Sequence, residues 1–142
     1  MPIRAYYRKG LALAQLQTAL QLYFGDGDRG SVITLAGAAD EIFGKLLAAS
    51  GRDSSLKSLI TAVTEIQQKL FGEAAEPKHI ADRANAARNS LKHWDVGDTE
   101  IVKFDLETEA RDMLNRAIDN YWMLEQQLTA EMERFQRELQ AA

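Results

Sequence analysis

The sequence contains no cysteine. That excludes disulfides, thiolate metal sites, iron–sulfur clusters and cysteine nucleophiles. Proline is nearly absent: only Pro2 and Pro77 occur, so long helices meet few obligatory breaks. The histidines are two, His79 and His93, too few for a histidine-rich metal centre. No apolar run is long enough to span a bilayer. Arg4, Arg8 and Lys9 do precede an uncharged run, Leu11–Phe24. Gln15, Gln17 and Gln21 interrupt it, however, and no small-residue cleavage site follows. We read this run as the first helix and expect a cytoplasmic protein with no membrane partner. Positive charge is also short, with 17 Lys+Arg against 21 Asp+Glu and a net charge of −4. Such a balance argues against a general nucleic-acid coat or a polybasic anchor.

What is present is helical periodicity. The 142 residues are 46% apolar, enough for one domain with its own core. Apolar residues recur at steps of three and four between glycine-bearing joints at Gly25–Gly30, Gly51, Gly72 and Gly97. The spacing predicts helices over 3–24, 32–50, 55–71, 78–94 and 106–138, an all-α bundle of about five helices in a single domain, 1–142. Ser31 and Asp105 are the expected N-caps, and Gly51 the expected left-handed stop. Pro77 suits a first helical turn. The small run Ala36-Gly37-Ala38-Ala39 leaves room for a close neighbour. Asp40 and Glu41, in mid-helix, read as solvated. The stripe Leu128, Met132, Phe135 and Leu139 runs beyond what a bundle of this size needs, so a homodimer is expected.

One segment is chemically unlike the rest. Residues 77–94 hold Lys78, Arg83, Arg88 and Lys92 against Asp82, a net +3 in a chain whose remainder is −7. A locally basic helix on an acidic protein suggests an anion-binding face. At 100° per residue, Ile80, Ala84, Ala87, Leu91 and Trp94 form the inward stripe. Asn85, Asn89, Lys92 and His93 take the outward face, with Arg88 at its edge. The negative end of the helix dipole favours a protonated imidazole at His93, which suits proton transfer. His79 is weaker. Glu76-x-x-His79 matches half of a di-iron motif, but it has no second copy. It reads as a surface histidine, and no metal or cofactor is expected.

Arg88-Asn89-Ser90-Leu91-Lys92-His93 resembles the Arg-x(4–6)-His signature of the all-helical HEPN superfamily, in which a polar residue often follows the arginine. The run Arg88-Asn89-x-x-Lys92-His93-x-Asp95, with Thr34–Ile42 upstream, is also similar to a group of small uncharacterised bacterial proteins. That broader likeness spans roughly residues 10 to 115 and carries no activity. The HEPN resemblance implies an HEPN-like fold and metal-independent cleavage of RNA by attack of a ribose 2′-hydroxyl. It implies His93 as general acid or base, Arg88 as stabiliser of phosphoryl charge and Asn89 as orienter, with Lys92 and Asn85 on flanking phosphate. Dimers with paired motifs and an antitoxin-like protein partner are further implications. Other HEPN-like domains are noncatalytic and bind nucleotides or partner proteins.

Overall fold

The computed structural model describes residues 2–142. Its elements are α1 (Arg8–Phe24), α2 (Arg29–Ala49), α3 (Ser55–Phe71), α4 (Pro77–Ala84), α5 (Ala86–Lys92), α6 (Leu106–Glu125) and α7 (Ala130–Ala141). There is no strand among the described residues, so the all-α expectation holds. Among the described residues the helices number seven rather than about five, because two of the expected helices are broken.

Helix α2 lies at the centre, packed against α1 and α6. Leu16 and Leu20 of α1 meet Val32, Ile33 and Phe43 of α2 and Leu114 and Ile118 of α6 in one fully buried core. Phe43 also tilts against Tyr121, with ring centroids 5.6 Å apart. Helix α3 packs against α4 and touches α6, and α5 lies on α2.

The local signals place most joints. Gly51 and Gly72 adopt left-handed backbone, at φ 73° and 64°, where a side chain would strain the chain. Asp105 caps α6 by accepting from the Thr108 N–H at 3.1 Å. Asp28, rather than Ser31, caps α2: its carboxylate accepts from both the N–H and the hydroxyl of Ser31, each at 2.7 Å. The helix therefore starts three residues before Val32, at Arg29. These bonds hold both caps below the ordinary aspartate range, Asp28 through the Ser31 hydroxyl first and Asp105 through the Thr108 N–H first. Their stabilisation is present above the ordinary aspartate value and is lost as pH falls through the depressed one. Pro2–Tyr7 is not helical, against the expected start at Ile3. Ile3, Tyr6 and Tyr7 are exposed, with no apolar neighbour to offset the ordering of a further helical turn.

The long last helix is likewise two. Gln126 turns left-handed, at φ 56°, and ends α6. Thr129 then caps α7 by accepting from the Met132 N–H at 3.3 Å. The reversal lays the stripe back on the chain's own α1. Met132 and Phe135 are buried, and the Phe135 ring stands edge-on to Tyr23 at 5.5 Å. The surface that motivated the expected homodimer is thus covered by the protomer itself. Thr129 also donates to Gln17 at 3.0 Å, and Gln17 donates to Glu131 at 3.0 Å. Thr129→Ala removes a cap and a cross-helix bond together, so a loss of about 1–2 kcal/mol is expected in urea melts. An unchanged midpoint would show that this corner does not hold α7.

Candidate functional site: a cation-rich cluster

The segment expected as one helix over 78–94 breaks at Asn85 and stops at Lys92. The break changes which side chains face inward. Ala87 remains buried, but Leu91 and Trp94 are exposed rather than on the inward stripe. Asn85 and Arg88, expected outward, point into the molecule. Asn85 is 9% exposed and the Arg88 side chain 13%.

Gly37 explains the inward Arg88. A Cβ at that position would lie 2.5 Å from Arg88 Cδ and 2.8 Å from its Cγ. Only glycine leaves α2 a groove for the arginine stem, which fits the close approach expected of the small run. The stem delivers the guanidinium towards Asp40, at 3.9 Å. Asp40 was expected to be solvated; it is 4% exposed and is the hub of the site. Its carboxylate accepts from Arg116 Nη2 at 2.8 Å and from Asn120 Nδ2 at 3.0 Å. Arg116 also donates to the Ala84 carbonyl at 3.0 Å, beside the break. Asn120 in turn accepts from the Ser55 N–H at 2.7 Å, at the start of α3. One carboxylate therefore orients the two side chains that fasten both ends of the α3–α4 hairpin to the body.

Glu41 forms a second centre on the same helix. Lys45 donates to it at 3.1 Å and Lys92 lies 3.8 Å away. Four cations, Arg88, Arg116, Lys45 and Lys92, thus share two carboxylates. No other carboxylate among the described residues lies within 4.0 Å of any of them. The cluster carries an excess of two positive charges. Burial pushes the Asp40 carboxyl above its ordinary value, against the pull of Arg116 and Arg88. The Lys45 hydrogen bond holds Glu41 below its ordinary value, helped by the positive charges of Lys45, Arg88 and Lys92. A hollow of about 290 Å³ opens here, lined among others by Asp40, Glu41, Lys45, Asn85, Arg88 and Asn120. Two buried polar atoms of its lining residues have no hydrogen-bond partner, Asn85 Oδ1 and Arg88 Nε, and the buried Arg116 Nε has none either.

The expected site residues therefore divide. Arg88, Asn85 and Lys92 gather around Asp40 and Glu41. Asn89 touches the group by accepting from Arg88 Nη2 at 3.4 Å. His93 stands apart. It follows the last helical residue in extended conformation and lines a different hollow with Ser90, Trp94 and Asp98. Five residues along a helix turn a side chain about 140° away, and the end of α5 at Lys92 does not bring it back. His79 is exposed at the first turn of α4. The described residues contain no group of three or more His, Asp or Glu able to hold a metal. No helix among them is long and apolar enough to cross a membrane.

Sequence reasoning missed Asp40, Arg116 and Asn120. A signal was available. Asp40 falls on the inward stripe of α2 with Ala36, Phe43 and Leu47, and Asn120 on that of α6 with Met113 and Ala117. A charged residue in an apolar stripe needs a buried partner.

The fold and site define a class, an all-helical chain with a cation-rich polar cluster built around a buried aspartate. No family model, curated protein or solved structure matches this chain.

Proposed function

We propose that this chain is a noncatalytic binding module for a nucleotide phosphate, held at the Arg88–Lys92 end of the cluster. The observation that carries this reading is the sharing of two carboxylates by four cations, two of which, Arg88 and Lys45, line an open hollow. A phosphate neutralises that excess and accepts from guanidinium groups that the protein leaves underused. Asn85 and Lys92 then act on phosphate, as the HEPN resemblance implies for them. The hollow is at the small end of ligand sites, which suits a phosphate more than a whole nucleotide. Base and sugar would lie outside it.

Metal-independent RNA cleavage needs an acid–base group within hydrogen-bond reach of the held phosphate. Within one chain His93 lines another hollow, which is why binding rather than hydrolysis is proposed. The test is titration with ADP and with a short 5′-phosphorylated RNA at two ionic strengths. Wild type should bind both, more weakly at high salt. Lys92→Ala should weaken binding a few-fold, and His93→Ala should leave it unchanged. RNA incubated with the protein in EDTA should stay intact. Absence of binding at millimolar ligand would overturn the reading. Cleavage that disappears in His93→Ala would replace it with the ribonuclease.

A further inference from the structure

The α3–α4 hairpin adds little to the core of this protein. Neither α3 nor α4 has a buried residue, and no residue of 55–84 belongs to the buried core. Leu56, Ile60, Val63 and Ile80 are half-buried, and α3 meets α4 and α6. Two hydrogen bonds tie the hairpin to α6, one at each end. Asn120 accepts from the Ser55 N–H at 2.7 Å, and Arg116 donates to the Ala84 carbonyl at 3.0 Å. The chain is interrupted on either side. Gly51 is left-handed, at φ 73°, and the helix breaks at Asn85. Hinges fall at such element ends. A segment with few buried apolar contacts opens at a lower free energy than the core around it.

The hollow of the polar cluster lies across this seam. Ser54 and Leu56 line it from the start of the hairpin and Asn85 from its end, while Lys45 of α2, Arg88 of α5 and Asn120 of α6 line it from the body. Lifting the hairpin takes away the Leu56 wall, so the hollow is complete only while the hairpin is docked. A ligand that fills the hollow binds the docked state in preference to the open one. Mass action then suppresses opening by the factor 1 + [L]/Kd. The coupling is reciprocal, so whatever holds the hairpin down also tightens the ligand.

We propose that the α3–α4 hairpin opens as a unit, hinged at 50–54 and at Asn85, and that a ligand in the hollow holds it closed. The closure rests on the phosphate reading of the hollow; the opening does not.

Hydrogen exchange on the full chain tests both. In the ligand-free protein the slowest amides of 55–84 should exchange roughly a hundred-fold or more faster than the slowest of α1 and α2. Equal rates would overturn the proposal, because the hairpin would then open only with the whole molecule. ADP at a hundred times its dissociation constant should slow the hairpin amides about a hundred-fold. Amides in the exposed last turn of α7, away from the hollow, should keep their rates. Arg88→Leu takes the guanidinium out of the hollow, so ADP should no longer slow the hairpin in that variant. If titration shows ADP bound to wild type and hairpin exchange does not slow, closure is overturned while the phosphate reading stands. Slowing that persists in Arg88→Leu overturns closure too, because the ligand then acts from elsewhere. If ADP does not bind at millimolar concentration, the phosphate reading falls and closure falls with it, and the ligand-free rates alone decide the opening.

Discussion

Replacing Asp40 by alanine is expected to cost this protein about 3–5 kcal/mol, with a fall in melting temperature on the order of 10–20 °C. The carboxylate is buried against Arg116 at 2.8 Å, Asn120 at 3.0 Å and Arg88 at 3.9 Å. Burial outweighs the pull of the guanidiniums, since the Asp40 carboxyl is raised. The intact cluster is therefore no large net source of stability. Removing the side chain still costs much, because Arg116 and Asn120 then lose the acceptor that places them and are left with unpaired donors in the interior. The damage should be local first. Arg116 holds the Ala84 carbonyl and Asn120 holds the Ser55 N–H, so amides of residues 55–84 should exchange faster than those of α1. Asp40→Leu combined with Arg116→Met, which removes charge of both signs, should recover part of the loss.

The sign of the Asp40 shift also sets a pH dependence. A raised carboxyl contributes its stability fully below the ordinary aspartate value and loses it as pH rises through the raised one. Asp40→Asn lacks that group, so its stability relative to wild type should improve as pH rises through that window. A constant difference across the window would mean that Asp40 is not the buried hub. A change below about 1 kcal/mol in Asp40→Ala would mean the same.

Gly37→Ala should cost the phosphate ligand thirty-fold or more in affinity while leaving the protein folded. The new methyl needs space now filled by Arg88 Cδ and Cγ, at 2.5 and 2.8 Å, so the arginine must leave its groove. Two stability terms oppose each other. Overpacking costs about 1–3 kcal/mol, and alanine in place of a mid-helix glycine returns roughly 0.5–1 kcal/mol. Affinity has no such offset. Losing a buried charge-assisted contact to a ligand costs about 2–5 kcal/mol, and 2 kcal/mol is roughly thirty-fold in dissociation constant. Arg88→Leu should match Gly37→Ala in isothermal titration with ADP, because both remove the same guanidinium from the hollow. If Arg88→Leu binds ADP as wild type does, the phosphate site is elsewhere.

Much of the fold was legible in the sequence because it depends on near neighbours. Steps of three and four mark a helix within a few turns. Gly51 and Gly72 mark left-handed stops, and Asp105 supplies its cap to an N–H three residues away. The basic character of residues 77–94 and the presence of Arg88, Asn85 and Lys92 in one polar group were legible for the same reason. The sequence by itself determined that the regular structure of this chain is helical, where most of its joints fall and which segment carries excess cation. Tertiary structure alone decided the rest. Asn85 breaks a periodic helix where Arg116 takes the Ala84 carbonyl, a partner 32 residues along the chain. Leu128–Leu139 folds back because α1 offers Tyr23 and Gln17, over a hundred residues away. Asp40 pairs with Arg116 across 76 residues, and the groove at Gly37 takes Arg88 inward while His93 lines another hollow. Periodicity shows which face of a helix is apolar. Only the packed helices show which charges meet in the interior, because a buried charge is stable only beside a partner the chain brings from a distance.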